Sequence, residues 1–343
     1  MPTETVTATA PGSTAAATDD GEVTYLDAIK EALRVEMEAD PDVFIIGEDV
    51  GIFGGAFKVT KGLIDKFGPL RVVDTPIAES GFTGLAAGAA LMGLRPVVEF
   101  QFADFISCAY DQIINVIARH HYRTGDAMPV VMRAPYAARL RAGAFHSQSV
   151  ETYFAHTPGL KIVAPGTAED AYGLMRAAIR DNNPVLYLEN RWLYRRVKAS
   201  GPLPADPVPI GKANVVRPGT KATLITYGPT LLHCLEAAEQ LDGEGISVEV
   251  VDIRSLVPLD AATIVASVKK TSRAVVVHED ARFFGFGAEI AALVQEECFW
   301  HLDRPVVRLG AKDVPIPASA VLEDAVLVQT PQIVEAVRRV ATT

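Results

Sequence analysis

The sequence predicts an α/β protein built from two doubly wound domains, and three observations carry that prediction. Short β-branched runs alternate with helical stretches along most of the chain. The alternation restarts after a proline-dense stretch at residues 200–210. The 343 residues also exceed one ordinary core, at roughly 150 residues per domain. The division that follows is a disordered tail at 1–22, a first domain at 23–199, a linker at 200–210 and a smaller second domain at 211–343.

Each element has its own signal. Apolar residues at helical spacing fill 25–38 and stop before Asp40-Pro41, where proline disfavours helix in its predecessor. The run 43–47 is apolar and ends in glycine, as a central strand does. Further strands are expected at 71–75, 95–100, 130–134, 161–164 and 185–189, with helices at 81–92, 105–121 and 167–181. In the second domain, strands are expected at 222–227, 247–252, 274–278 and 306–309. Helices are expected there at 230–241, 260–270, 287–297 and 331–340.

Composition removes several classes of function. A formal net charge of −10 opposes a nucleic-acid-binding groove and an anionic membrane surface alike. The longest apolar run, at 84–94, is rich in Gly and Ala and too short to span a bilayer. Cys108, Cys234 and Cys298 are odd in number and widely spaced, so neither a disulfide framework nor a zinc knuckle is expected and a reducing cytoplasm fits. The opening tail lacks the apolar core of a signal peptide and the arginines of a transit peptide.

In open α/β sheets, functional groups collect at the carboxyl ends of strands. Four places qualify: Glu48 within Gly47-Glu48-Asp49-Val50-Gly51, Glu79 after the strand at 71–75, Gln101 to Asp104, and the loop from Arg133 to His146. Taken singly, Glu79 also fits a carboxylate that favours a first helical turn. His146 lies near Ser147 and Ser149, but no Gly-x-Ser-x-Gly elbow supports a serine hydrolase. His120, His121 and His156 suit structural roles at a helix end and a turn. Gly81, Gly84 and Gly88 loosely imitate a dinucleotide fingerprint, which keeps a nicotinamide-dependent oxidoreductase open, although close helix packing explains them better. Spacing alone thus yields an acidic two-domain protein with a candidate Glu79/His146 site.

Longer motifs say more. Gly47-Glu48-Asp49-Val50-Gly51, Gly54-Gly55-Ala56-Phe57, the run from Arg71 to Gly81 and Gly93-Leu94-Arg95-Pro96 come in an order that continues with Asp111-Gln112, His146-Ser147-Gln148-Ser149 and Pro158-Gly159-Leu160-Lys161. Pro209-Ile210-Gly211-Lys212-Ala213 and Tyr227-Gly228 extend it into the second domain. This order resembles the β subunits of thiamine-diphosphate-dependent 2-oxoacid dehydrogenases of the pyruvate, branched-chain and acetoin type. The resemblance implies a transketolase-like pyrimidine-binding domain followed by a transketolase C-terminal-like domain. It also implies an α₂β₂ heterotetramer in which the α subunit holds diphosphate and Mg²⁺, since this chain has no Gly-Asp-Gly motif followed by a distant Asn. The β chain would be active only with that partner, decarboxylating a 2-oxoacid and acylating the lipoyl group of an acyltransferase core.

Carried over residue by residue, Glu79 matches the glutamate that hydrogen-bonds the aminopyrimidine ring, and Phe105 the aromatic that packs on it. Gln101 and Glu48 match polar positions lining the cofactor pocket. His146 is similar to the histidine facing the reacting carbon and the incoming lipoyl group. Asp181 and Asn183 match a loop that binds a structural K⁺ in branched-chain members. A subunit that mainly scaffolds such a complex is the alternative from another class. One departure stands out: Ala137, Ala138, Arg139 and Arg141 occupy positions where relatives often carry glycines. That implies either a stiffer loop before His146 or a more acidic substrate or partner.

Overall fold

The computed structural model describes residues 22–342, so the tail at 1–21 lies outside the described residues. In chain order the first domain runs α1 (Tyr25–Ala39), β1 (Val43–Gly47), α2 (Leu63–Phe67), β2 (Val72–Asp74), α3 (Glu79–Leu91) and β3 (Arg95–Glu99). It continues with a 3₁₀ turn (Ala103–Ala109), a π-helical stretch (Gln112–Ile117), α4 (Ala118–Thr124), β4 (Val131–Tyr136), α5 (Glu151–Ala155), β5 (Lys161–Val163), α6 (Ala168–Arg180) and β6 (Val185–Asn190). The second holds β7 (Asn214–Arg217), β8 (Ala222–Thr226), α7 (Thr230–Asp242), β9 (Val248–Asp252), β10 (Ser255–Val257), α8 (Ala261–Thr271) and β11 (Ala274–Ala281). It ends with α9 (Gly287–Cys298), β12 (Val307–Ala311), α10 (Ala320–Val326) and α11 (Thr330–Thr342).

Two sheets result, ordered β10-β5-β6-β4-β3-β1-β2 and β12-β11-β8-β9-β7. All pairings are parallel except β10 on β5 and β7 on β9. Parallel strands between helical layers are buried on both faces, which explains their near-continuous apolar runs. In β1 the alternation is still visible. Val43 and Ile45 join the core under α1 and α6, whereas Phe44 and Ile46 join the core that includes Phe82 and Ala86 of α3. That second core is continuous into the other domain, through Tyr136, Tyr227, Val276 and Ile290.

Three departures from the sequence reading have local causes. The helix expected at 105–121 is broken into 3₁₀, π and α pieces. Ala103, Ile106 and Ala109 are buried at a spacing of three, which suits a 3₁₀ turn, before the spacing widens to four at Ile113 and Ile117. β10 was not expected. It leaves the second domain's chain to pair antiparallel with β5, so the first sheet carries a strand from beyond the linker. Close packing explains only Gly84 among the glycines of α3, where a side chain would come within 3.3 Å of Gln112 Oε1; nothing within 4 Å would meet one at Gly88, and Gly81 is exposed. Gly81 and Gly88 belong to an open face instead.

Charge is buried in the middle of the first sheet. The Arg133 guanidinium on β4 bonds Glu99 of β3 and Glu189 of β6, and all three residues are almost fully buried. Burial, only partly offset by Arg133, pushes the Glu99 carboxyl up to about 7. Gly55 folds back over this group with φ at +79°, where a side chain would come within 2.9 Å of Glu99 Oε1.

Candidate functional site

The order β4-β3-β1-β2 decides what can meet. These are neighbouring parallel strands, so the loops leaving their carboxyl ends lie side by side: His146 after β4, Gln101 to Phe105 after β3, Glu48 after β1 and Glu79 after β2. All four segments singled out from the sequence therefore share one edge.

Glu48 follows the last residue of β1 and is 6% exposed, and its Oε1 has no hydrogen-bond partner. Burial first, then the negative charges of Glu79 and Asp49, hold its carboxyl above the ordinary range. Glu79 is the first residue of α3 and is half-buried, in the turn where free backbone N–H groups favour a carboxylate. Gln101 is placed next to this pair by its Nε2, which donates to Asp49 Oδ2 at 3.1 Å.

His146 stands in an aromatic nest. Its ring lies edge-on to Phe102 at a centroid distance of 4.5 Å, and to Phe105 at 5.5 Å. Phe102 and Phe105 are themselves edge-to-face at 5.8 Å. The main chain on either side of His146 is fixed separately. Asp104 Oδ1 accepts from the N–H groups of Ser147 and Gln148, both at 3.1 Å. The Arg191 guanidinium donates to the carbonyls of Ala137 and His146, and its plane covers the Phe102 ring at 4.7 Å. Asp104 Oδ2 is buried without a partner, and burial raises this carboxyl too.

Phe102, Asp104 and Arg191 were not among the residues picked from the sequence. The first two fall inside the segment 101–104, whose place at the carboxyl end of a strand is the signal that points at them. Arg191 has no local signal; it reaches the site because β6 lies beside β4.

Asp181 and Asn183 lie elsewhere. They precede β6 at the opposite, amino-terminal edge, and both Asp181 oxygens are engaged, one by Lys161 and one by the N–H of Asn183 at 2.9 Å. Arg95 takes the carbonyls of Ile179 and Asp181 at 2.9 and 3.2 Å. Two cationic side chains, Lys161 and Arg95, thus engage oxygens of the loop that the resemblance assigns to K⁺. Among the described residues, no group of three or more His, Cys, Asp and Glu side chains is arranged to hold a metal ion. No helix among them is long and apolar enough to cross a membrane.

The loop before His146 keeps an unusual backbone at the positions where its sequence departs from glycine. Ala137, Arg139 and Arg141 all have positive φ, at 68°, 72° and 58°. The left-handed shape that glycine would adopt freely is thus kept without glycine. The acids facing the arginines are the chain's own: Arg139 pairs with Glu279, and Arg141 with Glu323 and Asp324.

A parallel-sheet domain carrying carboxylates and aromatic rings along one edge, followed by a second α/β domain, is the transketolase-like class of protein. Residues 21–197 match the family described as "Transketolase, pyrimidine binding domain", and residues 211–333 match "Transketolase, C-terminal domain". The fold is similar to a solved split gene transketolase, described as an inactive beta4 tetramer, with a TM-score of 0.78, 25% identity and coverage of 94% of this chain and 99% of that one. Relatives are closer in sequence. A mitochondrial pyruvate dehydrogenase E1 component subunit beta-2 of Oryza sativa subsp. japonica is 48% identical, over 93% of this chain and 86% of its own length. The 2-oxoisovalerate dehydrogenase subunit beta of Bacillus subtilis is 45% identical, over 93% and 98%. The chain belongs to the β-subunit family of the 2-oxoacid dehydrogenase E1 components, a thiamine-diphosphate-dependent family.

Proposed function

We propose that this chain is the β subunit of a heterotetrameric 2-oxoacid dehydrogenase. In this reading it supplies the aminopyrimidine side of a thiamine diphosphate site and the histidine that serves acyl transfer to a lipoyl group. The observation that carries the reading is the shared edge on which Glu48, Glu79, Gln101, Phe105 and His146 converge. Its chemistry fits the cofactor: an amine-bearing ring offers donors to the half-buried Glu79 and to the buried Glu48, whose Oε1 is unpartnered, and a flat face to Phe105.

Bound there, thiamine diphosphate supplies the electron sink that lets a 2-oxoacid lose carbon dioxide. Glu79 holds a proton against the aminopyrimidine ring. Glu48, whose carboxyl is pushed up by burial, limits the negative charge beside it. Phe105 fixes the plane of the ring and Gln101 lines the pocket. His146 donates a proton or stabilises charge during transfer to the lipoyl group, with its donor direction set by the aromatic nest. The α partner contributes the diphosphate and Mg²⁺ contacts, and residues 211–343 contribute to docking the acyltransferase core. Substrates in this reading are pyruvate or a branched-chain 2-oxoacid, the two classes that the relatives' names carry.

The open face of α3 supports the assembly. Gly81, Leu85, Gly88 and Met92 recur at helical spacing on its outer side, with Ile52, Phe53 and Ile77 exposed nearby. Small residues at that spacing let a second helix approach closely. The reading is tested by titrating thiamine diphosphate and NAD into this chain, alone and co-expressed with its candidate α subunit. Thiamine diphosphate should bind tightly only to the assembled pair, and NAD to neither. Tight NAD binding, or no thiamine diphosphate binding by a well-formed tetramer, would overturn it.

A further inference from the structure

The loop from Ala137 to His146 is strained and fastened in the same few residues. Three side-chain-bearing residues hold left-handed backbone at alternate positions, a conformation that disfavours a Cβ at each one. Such a shape persists only when its surroundings enforce it. Two carboxylates of the second domain do so. Glu279 accepts from the N–H of Ala138 at 2.9 Å and from the Arg139 guanidinium. Glu323, fully buried, accepts from the N–H groups of Arg139 and Arg141 at 3.1 and 3.3 Å and pairs with the Arg141 side chain. Arg139 also donates to the carbonyl of Val328 at 3.0 Å.

Behind the loop lies a cavity of about 440 Å³ between the domains. Phe145, Ser147 and Ser149 face it, with Asp280 and Lys312 on the far wall. His146, between Phe145 and Ser147, turns the other way, onto Phe102 and Phe105. Without its fastening the segment therefore has both a reason to relax, its backbone strain, and room to relax into.

We propose that Arg139 and Arg141 are positioning residues: with Glu279 and Glu323 they form an interdomain latch that holds His146 against the aromatic nest, replacing the conformational freedom of a glycine loop with a fixed geometry. The inference rests on the role assigned to His146 in the reading above. It reaches further, because it makes second-domain carboxylates part of what orients a first-domain histidine. It also predicts which half-reaction should feel them. Decarboxylation depends on Glu79 and the cofactor, whereas transfer to the lipoyl group depends on where His146 stands.

The test uses the assembled enzyme with its α subunit and compares wild type with the double variant Arg139→Gln/Arg141→Gln and with Arg139→Lys. Three quantities are read: cofactor-dependent decarboxylation by dye reduction, acylation of a free lipoyl domain, and hydrogen exchange of the 137–149 amides. The double variant should lose about 10- to 100-fold in lipoyl-domain kcat/KM, as small misplacements of a reacting group do. Decarboxylation should stay within about 2-fold, because no interaction made in that step is removed. The loop amides should exchange faster, and Arg139→Lys should recover part of the loss. If the double variant matches wild type in acylation and exchange, or loses both half-reactions in parallel, the latch is wrong while the proposed function stands. If wild type itself shows no thiamine-dependent turnover of any 2-oxoacid, the proposed function fails and takes the latch with it.

Discussion

The imidazole of His146 and the ring of Phe102 meet edge to face, 4.5 Å apart at 83°, and the Arg191 guanidinium lies over the same Phe102 ring. One side chain thus touches both the candidate acyl-transfer histidine and the arginine that binds its carbonyl. Phe102→Ala should lower lipoyl acylation roughly 10-fold, with decarboxylation much less affected, since it loosens an orientation without removing a proton carrier. Single-turnover acylation of a lipoyl domain would measure it, and equal loss in both half-reactions would place Phe102 in the cofactor site instead.

Removing the functional groups themselves separates the two roles. Glu79→Gln should reduce cofactor-dependent decarboxylation by about 100-fold or more, within the range for a lost acid–base group. His146→Ala should spare decarboxylation with an artificial electron acceptor and impair acylation. Retention of wild-type turnover by both variants would dissolve the assignment.

Glu48 carries a stability cost at neutral pH. Its folded pKa is raised, so the folded state binds the proton more tightly than the unfolded chain does. The resulting contribution is favourable at low pH and is lost as pH rises through the folded value. Glu48→Gln should therefore melt above wild type at pH 7, and the gap should close near the ordinary carboxylate range of about 4.3. A melting curve series across pH checks it; a gap that is constant with pH would contradict the assignment.

A second pH signature lies at the domain boundary. Glu151 is fully buried, accepts from the Tyr227 hydroxyl at 2.8 Å, and is pushed up to about 8, first by burial and then by Asp280. Relative to its ordinary 4.5, its raised pKa makes the fold lose stability steadily as pH rises toward 8, and Glu151→Gln should flatten that slope. Urea titrations at several pH values would show the flattening, and an unchanged slope would mean that Glu151 is ionised throughout.

Arg133 answers for two buried carboxylates. Arg133→Met leaves Glu99 and Glu189 uncompensated in the sheet and should cost about 3–5 kcal/mol in unfolding free energy. Replacing all three residues with apolar side chains should recover much of that loss, because the carboxylates then carry no desolvation penalty. Chemical denaturation of the assembled enzyme reads both effects.

The central strands β1, β4, β6, β8 and β9 were legible because each is a run buried on both faces, and β1 appears with the ends its sequence suggested, whereas β7, exposed or half-buried along its length, gave no such signal. The segment 105–121 was read as one helix because its apolar residues recur at both three and four, and only the buried positions reveal where the spacing changes. β10 was hidden because three residues carry no periodicity, and its partner strand lies more than ninety positions earlier. Site residues at strand ends could be found from the sequence, because carboxyl edges are where loops are free to carry function. What escaped depends on chain folding at long range: Arg191 beneath His146, Glu279 and Glu323 behind it, and Lys161 paired with Asp181.

The central claim is most directly tested by turnover. This chain, co-expressed with its candidate α subunit, is offered pyruvate, 3-methyl-2-oxobutanoate and 2-oxoglutarate, with and without thiamine diphosphate and Mg²⁺, and decarboxylation is followed by dye reduction. The expected result is turnover of pyruvate or the branched-chain acid that requires the cofactor and the α subunit together. A well-formed heterotetramer that decarboxylates none of the three would contradict it and point toward acetoin cleavage or a scaffolding subunit.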